Sequence, residues 1–585
     1  MVKKFGIGGK TSIEADVIVL GCTLPGLVAA HKLLRKFGDT MDIVLLDLHT
    51  GPRRRSKGNV AFMDIAHDDS DEDLEGQRRD RDDYTARQIL DNITRLYLQQ
   101  YAKDLRVPLP DAIVYPEGVA ETITLFQDDD ISLDESADLE QDPYEVDSKV
   151  SLPSLGRFNP LQKLFQYANG SKVEFLSNVH DFEYLNLFEK FELNQYQTYL
   201  DRRMADLFQT SNIHLESDSD RQQLLYYDQT SMETNICETL LFSTSREIMR
   251  LIVRLVCGAP AHSVSLLFYL HQCYRTSSAK NHLGGINTRF REKLLGHCRK
   301  RLTCKLHKSV AEITMKAKSI KGIRKYSKHV ILETIKGETY SCNLLAMALK
   351  PEELHNIKVE DKLMSQETER ITKDLKPGVA KKFTIQYEKN FWYTKGYSGD
   401  IFSMRGPIIW AMEEPNLSTT GASSKYSTLI GFLKVREGED DCKEAVLEQL
   451  VNMFGEEASS PVSYRETIMT DVYVPRCGDY VALRRLLTKG SPKFLEWGAL
   501  DIFGDGDVAS ALEAGHTAYL SLMGCLRPQA QTFDDVIACD WPTFLSEVPT
   551  KRWLAQINVY SAIKLTAFTA ALGIGMYLLR SYMRK

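Results

Sequence analysis

The stretch that decides the fold is ADVIVLGCTLPGLVAAHKLLRKFGDTMDIVLLD, from Ala15 to Asp47. It predicts a short buried strand, a tight turn, a helix, a second strand and a closing acid. In a dinucleotide-binding unit of this kind, Gly21 ends the first strand, Gly26 lets the helix pack closely on it, and Asp47 accepts a hydrogen bond from a ribose hydroxyl. The stretch therefore predicts a Rossmann-type nucleotide fold. A strand and helix of a parallel sheet without a ligand is the alternative.

Two residues in the turn depart from the usual pattern G-x-G-x-x-G. The middle glycine is replaced by Thr23, and Pro25 removes one backbone N–H near the position of a phosphate. A nucleotide fold is predicted, but tight nucleotide binding does not follow from it.

Length and composition indicate a globular protein of several domains. The chain has 585 residues, 43% of them hydrophobic and 9% aromatic, and its net charge of −6 gives no indication of nucleic-acid binding. The eleven cysteines form no C-x-x-C pair, so we expect no zinc or other metal site and a reducing compartment. The body of the protein is expected to face the cytosol.

The C-terminal segment from Val559 to Leu579 is mostly apolar and is followed by Arg580, Arg584 and Lys585. Its length suits a helix that crosses a bilayer, and a buried terminal helix is the alternative. A single span at this end predicts a tail-anchored protein. The modest hydrophobicity of the span and its basic flanks favour the mitochondrial outer membrane over the endoplasmic reticulum.

Along the rest of the chain, charged blocks alternate with segments of regular periodicity. Acidic stretches at 68–75 and 128–147 predict solvated loops, with a binding tail as the alternative. Apolar periodicity predicts helices at 84–105 and 182–273 and strands at 329–334, 341–349, 382–387 and 426–433. The segment 494–515 predicts a strand, a glycine-rich turn and a helix start. Nucleotide-type pieces at the start, middle and end are thus interleaved with another domain.

Four further motifs resemble one known family, and they occur in the same order as in that family. They are RLVCGAPAHSVSLLFYL (254–270), KKFTIQYEKNFWYTKGYSGDIF (381–402), PRCGDY (475–480) and GDGDVASALEAGHTA (504–518). Together with the opening unit and the C-terminal segment, they make the chain similar to the flavin-containing monoamine oxidases along nearly its whole length. We interpret it as a divergent member.

The resemblance implies an α/β + α architecture. This is the two-domain flavin amine oxidase fold, in which a Rossmann-type FAD domain is interleaved with a substrate domain, plus a C-terminal transmembrane helix. The implied boundaries are FAD-binding parts at 12–80, 280–371 and 471–525, substrate-domain parts at 81–279 and 372–470, a connector at 526–558 and a transmembrane tail anchor at 559–579.

The resemblance also implies which residues form the site. Lys382 matches a catalytic lysine that holds a water near the reactive edge of the flavin, and Cys477 matches the cysteine that bonds covalently to FAD. The implied cofactor-binding residues are Gly21, Gly26, Asp47, Arg55, Val310, Cys477, Gly498 and Gly506. The alternatives are a solvated strand lysine for Lys382 and an ordinary buried thiol for Cys477.

Four substitutions depart from the family pattern. Arg53 and Arg54 replace a glycine pair at the diphosphate, where long side chains crowd the ligand but also provide charge for phosphate. Gly478 and Asp507 replace the two tyrosines that enclose the substrate amine. We therefore expect altered rate or selectivity.

Two functions remain open at this stage. The first is an FAD-dependent amine oxidase that converts a small-molecule amine to an imine and hydrogen peroxide at the mitochondrial outer membrane. The second is a catalytically degenerate relative that serves as a membrane-anchored binding or scaffold module. A third interpretation, a Rab-escort or GDI-type protein, depends only on DVIVLG and its surroundings. The sequence leaves open whether the chain forms a homodimer.

Overall fold

The structure is a computed structural model of the whole chain. It describes residues 4–7, 10–47, 93–107, 161–177, 181–204, 207, 218–275, 286–301, 303–305, 310–319, 326–414, 426–434, 442–489, 494–504 and 506–532.

The described helices are, in chain order, α1 (Leu24–Phe37), α2 (Ile93–Leu105), α3 (Leu187–Met204), α4 (Asp218–Gln229), α5 (Met232–Thr239), α6 (Ser243–Cys257), α7 (Leu266–Arg275), α8 (Ile286–Arg301), α9 (Pro351–Leu354), α10 (Gln366–Asp374), α11 (Phe391–Thr394), α12 (Lys443–Phe454), α13 (Tyr480–Lys489) and α14 (Val508–Leu526). The strands are β1 (Lys4–Ile7), β2 (Lys10–Leu20), β3 (Ile43–Leu46), β4 (Gln162–Gln166), β5 (Lys172–Phe175), β6 (Thr303–Lys305), β7 (Val310–Ser319), β8 (Tyr326–Thr334), β9 (Thr339–Met347), β10 (Lys358–Val359), β11 (Lys376–Tyr387), β12 (Tyr397–Ser403), β13 (Ile408–Glu413), β14 (Ser427–Leu433), β15 (Ser463–Val474) and β16 (Leu495–Glu496).

The chain divides into two compact units. Unit 1 comprises Met1–Pro108, Asn186–Ala380 and Ile468–Lys585, and unit 2 comprises Leu109–Leu185 and Lys381–Thr467. Neither unit is continuous in sequence. The predicted assignment of these segments to a flavin domain and a substrate domain stays a prediction.

Unit 1 is built on a nine-stranded sheet. Its main order is β10-β7-β8-β9-β2-β3-β6, and β1 and β16 pair with β2 and β9. The central strand β2 runs parallel to both β3 and β9, so the carboxyl ends of these three strands lie at one edge. Residues 17–20 of β2 and 43–46 of β3 are buried, which explains the continuous apolar runs in both segments.

Helix α1 covers β2 and packs against the last long helix, α14. Gly515 makes this packing close, because a Cβ atom there would lie 2.5 Å from the carbonyl oxygen of Pro25. Pro25 itself lies in the first turn of α1, where a missing N–H leaves no helical hydrogen bond unmade.

A second sheet, most of whose residues belong to unit 2, has seven strands in the order β15-β11-β14-β13-β12-β4-β5. Strand β11 pairs antiparallel with β14, and alternate residues of β11 enter the core. That core includes Phe383, Ile385, Leu429 and Leu450.

Most of the predicted elements are confirmed within the described residues. The strand–helix–strand order of the opening stretch appears as β2, α1 and β3, and the later predicted strands appear as β8, β9, β11 and β14. The predicted helical region 182–273 contains α3 to α7. Of the predicted helix at 84–105, residues 93–105 form α2, and the remainder lies outside the described residues.

The predicted C-terminal transmembrane helix is not supported, and we remove it from the architecture. No helix in the described ranges is both long enough and apolar enough to cross a membrane. The longest of them, α14, is a core helix of unit 1 whose buried face includes His516. The proposed anchor at 559–579, both acidic stretches and the residues Arg53, Arg54 and Arg55 lie outside the described residues.

Candidate functional site

The turn after β2 requires a glycine for two separate reasons. Gly21 has a φ of 108°, which L-residues with a side chain rarely adopt. A Cβ atom there would also lie 1.8 Å from the carbonyl oxygen of Ala348, just beyond β9. At Gly26, a Cβ atom would lie 2.2 Å from the Cβ of Ala348. Both glycines therefore bring α1 and the turn close to the end of β9.

Thr23 and Pro25 change the hydrogen-bonding capacity of this turn. The Thr23 hydroxyl donates to the carbonyl oxygen of Ala348 at 3.0 Å, so it stabilises the turn without capping α1. Pro25 has no N–H to offer an anion. A positive side chain approaches instead: the Arg291 guanidinium of α8 donates to the carbonyl oxygen of Cys22 at 3.1 Å. The sequence analysis missed Arg291, because 269 residues separate it from its acceptor.

Asp47 lies directly after β3, at the same edge of the sheet as Gly21. It is partly buried. Burial raises the pKa of Glu353, and the Asp47 carboxylate adds to that rise. The Glu353 carboxylate accepts a hydrogen bond from the backbone N–H of Lys350 at 2.9 Å. The structure therefore places two interacting carboxylates at the edge where the sequence predicted one.

Val310 occupies a different position in the sheet. It begins β7 and pairs with Thr334 at the end of β8, where the chain turns into β9. In the sheet register it is therefore level with the start of β9, whereas Gly21 follows the end of β2. Strand pairing alone does not bring Val310 beside Gly21.

Cys477 lies in the turn between β15 and α13, and a buried aspartate organises this turn. The Asp228 carboxylate accepts hydrogen bonds from the backbone N–H groups of Tyr480 at 3.3 Å and Val481 at 3.0 Å. The Asp228 carbonyl oxygen accepts one from Gly478 at 2.8 Å. Asp228 is fully buried, and it caps the start of α13.

The electrostatic surroundings of Cys477 favour its neutral form. Burial raises the pKa of the Cys477 thiol, and the Asp228 carboxylate raises it further. Burial also raises the pKa of Asp228. The thiol is therefore less readily converted to a thiolate than an exposed cysteine.

Two further contacts hold the same turn. Arg370 of α10 forms a bidentate pair with Asp479, with N···O distances of 2.9 and 2.7 Å. The Tyr480 hydroxyl is hydrogen-bonded to Nδ1 of His271. Gly478, which the resemblance matches to one family tyrosine, has a φ of 96°, a backbone conformation suited to glycine.

Gly498 follows β16, and Gly506 precedes the residue that caps α14. A Cβ atom at Gly498 would lie 2.8 Å from Oε1 of Glu496, and that oxygen accepts the Gly498 N–H at 2.8 Å. The N–H of Gly506 donates to the carbonyl oxygen of Phe503 at 3.1 Å. The next residue, Asp507, is the N-cap of α14 and accepts from the Ser510 N–H at 3.0 Å. Asp507, which the resemblance matches to the other family tyrosine, is thus a helix cap.

Lys382 belongs to unit 2, whereas the other described site residues belong to unit 1. It lies on β11 opposite Phe432 of β14. Burial lowers the pKa of Lys382, and Arg465 lowers it further, while Glu414 acts in the opposite direction. A lysine in this setting releases a proton more readily than an exposed one.

Comparison with known proteins defines the class. The fold is similar to that of a double mutant of putrescine oxidase, with a TM-score of 0.55 and 14% identity, covering 88% of this chain and 100% of that chain. It is also similar to cyclohexylamine oxidase from Brevibacterium oxydans IH-35A, with a TM-score of 0.56 and 15% identity, covering 87% of this chain and 98% of that chain. These likenesses show a flavin amine oxidase fold.

Sequence relatives point to the same class. The chain is 24% identical over 249 residues to a probable flavin-containing monoamine oxidase A of Dictyostelium discoideum, and this match covers 41% of this chain and 53% of the relative. It is 25% identical over 254 residues to flavin-containing amine oxidase A of Bos taurus, covering 41% and 46%. The match spans about half the length of these curated relatives.

The family described as flavin containing amine oxidoreductase matches residues 69–518. The chain therefore belongs to this family, and the predicted resemblance is confirmed. Membership implies FAD as the cofactor.

The residues of unit 1 are compatible with FAD. Gly21 and Asp47 lie at the carboxyl edge of parallel strands, where such folds bind dinucleotides, and Arg291 brings a guanidinium group to a turn with fewer backbone donors. Gly21, Asp47 and Arg291 would hold the adenosine and diphosphate part of the cofactor.

Proposed function

We propose that this protein is an FAD-dependent oxidase that converts a small-molecule amine to an imine while dioxygen is reduced to hydrogen peroxide. The overall reaction is balanced: an amine R–CH₂–NH₂ and O₂ give R–CH=NH and H₂O₂. The observation that carries the proposal is the carboxyl edge of the unit 1 sheet, with Gly21 and Asp47, in a chain that belongs to this family.

The flavin would supply the oxidising chemistry by accepting a hydride equivalent from the carbon next to the amine nitrogen. The chain would supply binding and proton management. Cys477 would tether the cofactor through a thioether, and its raised pKa predicts that this bond forms slowly. Lys382, with its lowered pKa, would order water and exchange a proton where oxygen is reduced.

A second candidate function is a binding or scaffold role without turnover. Two observations favour it: Gly478 occupies a left-handed turn, and Asp507 caps α14. Neither residue supplies the aromatic side chain that the family pattern has at these positions.

An absorbance spectrum of the purified full chain separates the two functions. Oxidase function predicts a yellow protein, and a covalent tether predicts colour that survives denaturation in the wild type but not in Cys477→Ala. A colourless protein after expression with excess riboflavin would defeat the oxidase proposal.

With a yellow protein, peroxide release should be measured for a panel of amines. Lys382→Met should slow it, and an unchanged rate would remove the role of the lysine.

Location at the mitochondrial outer membrane, with the body facing the cytosol, stays a prediction from the sequence. Fractionation of cells that express the full chain, followed by protease treatment of intact mitochondria, tests it. Recovery in another fraction, or protection from the protease, would contradict it.

A further inference from the structure

A lysine, a cysteine and a glutamate meet inside unit 2. They are Lys381 on β11, Cys442 just before α12, and Glu466 on β15. Lys381 and Cys442 are each 5% exposed. The Lys381 Nζ atom lies 3.4 Å from Sγ of Cys442 and 2.6 Å from Oε2 of Glu466. A lysine ammonium group and a thiol are therefore in contact in a shielded site.

The other oxygen of Glu466 is fixed by two donors. It accepts the backbone N–H of Cys442 at 2.9 Å and the hydroxyl of Tyr464 at 2.5 Å. The carboxylate therefore holds both reacting residues in place. Burial of such an ion pair gives little net stability, because desolvation of both charges offsets their attraction. Stability alone is thus a weak reason for this arrangement.

We propose that Lys381 and Cys442 form a covalent cross-link in which one oxygen atom joins the lysine nitrogen to the cysteine sulfur. The oxidant is dioxygen. The inference concerns a modification site in unit 2 and does not depend on the proposed amine oxidation.

The reaction balances with the groups present. The Lys381 ammonium, the Cys442 thiol, the Glu466 carboxylate and O₂ give the N–O–S bridge, a protonated Glu466 and one water. Two N–H bonds, the S–H bond and the O–O bond break. One N–O bond, one O–S bond, the O–H bond of Glu466 and the two O–H bonds of water form. Nitrogen and sulfur each lose two electrons, and dioxygen gains all four. One oxygen atom enters the bridge and the other leaves as water.

Geometry and charge both favour this product. The distance from Nζ to Sγ exceeds a direct N–S bond, whereas a single intervening atom spans it after a small movement of the side chains. The proton lost by the ammonium passes to Glu466, 2.6 Å away. A buried ion pair is thereby replaced by neutral groups, so no unpaired charge remains in the interior.

The cross-link would join β11 to the start of α12. It would also remove the charge of Lys381, which precedes Lys382 in the same strand. We expect a higher melting temperature for the cross-linked form, reversed by dithiothreitol.

The test uses the wild-type full chain, incubated either under air or with dithiothreitol without oxygen, then denatured, alkylated and digested with trypsin. Under air we expect one fewer alkylated thiol than in the reduced sample, and no cleavage after Lys381. The linked peptides should weigh one oxygen more and two hydrogens less than the two separate peptides. Cys342, which is buried in unit 1, should be alkylated equally in both samples.

Two variants provide the matched comparison. Cys442→Ser and Lys381→Arg should each abolish the linked peptides. If a variant does not fold, the comparison of the two wild-type digests is sufficient to test the proposal. Full alkylation of Cys442 under air would overturn the proposal. A linked pair that lacks two hydrogens but gains no oxygen would also overturn it, because it indicates a direct S–N bond. Each of these results leaves the flavin spectrum, and with it the proposed function, unaffected.

Discussion

At the scale of single residues, Asp228 determines the surroundings of Cys477. Its carboxylate accepts two backbone N–H groups of α13 and opposes ionisation of the thiol. The residue therefore stabilises the turn while it makes the cysteine less reactive.

Asp228→Asn separates these two effects. In the apoprotein, whose Cys477 thiol carries no flavin, we expect faster alkylation of Cys477 at neutral pH, by about tenfold for each unit by which the thiol pKa falls. We also expect a loss of about 1–3 kcal/mol in the free energy of unfolding, since a charged acceptor of buried donors is removed. Peptide mass spectrometry after timed alkylation measures the reaction rate of Cys477. Urea titration measures the free energy of unfolding. Asp201→Asn is the control: it removes a carboxylate whose pKa burial raises to about 6, and it should leave the rate at Cys477 unchanged.

Arg291 is expected to contribute to the affinity for FAD. Its guanidinium group lies at a turn where Thr23 and Pro25 provide few donors. Arg291→Ala should weaken FAD binding by about tenfold or more, the loss typical of one hydrogen bond to a charged group. Titration of the apoprotein with FAD measures the affinity of each variant. Lys293→Ala removes the same charge from an exposed position on the same helix, and equal effects in both variants would argue against a specific contact.

Individual site residues were only partly predictable from the sequence. The turn at Gly21 and the close packing at Gly26 follow from local strand and helix geometry, whereas their role in cofactor binding stays a prediction. Asp228, Arg291 and Arg370 were missed because their partners lie 109 to 269 residues away in sequence. Local periodicity in the sequence does not predict contacts between residues so far apart in the chain.

At the scale of elements, Gly26 and Ala348 fit together as a pair where α1 crosses the end of β9. A Cβ atom at Gly26 would lie 2.2 Å from that of Ala348. Gly26→Ala should therefore destabilise the protein by about 1–3 kcal/mol through overpacking. The double variant Gly26→Ala with Ala348→Gly should recover much of this loss, as measured by chemical denaturation.

A helical glycine in open surroundings provides the control for that experiment. Gly296 of α8 has no neighbour within 4 Å of a Cβ atom, so Gly296→Ala should stabilise the protein by about 0.5–1 kcal/mol. A loss of stability at Gly296, or no recovery in the double variant, would contradict the packing argument.

The elements themselves were well predicted, and their pairing was not. Apolar runs such as 17–20 and 43–46 identify buried strands. The insertion of β9 between β8 and β2 could not be inferred, because it depends on contacts between segments some 300 residues apart. The C-terminal transmembrane helix was predicted from hydrophobicity and length alone. These two properties make a segment able to cross a bilayer, but they do not show that it forms a transmembrane helix.

At the scale of the whole molecule, one partly buried histidine, His31, predicts sensitivity to acid. Burial and the charges of His297, Lys32 and Arg35 together lower the pKa of His31 to about 4, while Asp104 acts in the opposite direction. The His31 and His297 rings are stacked with centroids 5.5 Å apart. Between the unfolded value near 6.5 and the folded value near 4, the folded protein binds fewer protons than the unfolded chain.

The free energy of unfolding should therefore fall as the pH is lowered from about 6.5 towards 4. His31→Gln should flatten this part of the stability profile, and urea titrations at several pH values measure it. His262→Gln, at an exposed histidine, should keep the wild-type slope. An unchanged slope in His31→Gln would show that other groups cause the acid sensitivity.

The contact between α1 and α14 has a consequence for protein synthesis. The first long helix leaves the ribosome early, but the helix that covers it includes Gly515 and is made only near the end of translation. Until then the nascent chain presents the apolar face of α1 without its final neighbour, and chaperones have to shield it. A premature stop codon before position 508 would leave that face permanently uncovered, so such products should be degraded rather than accumulate as stable fragments.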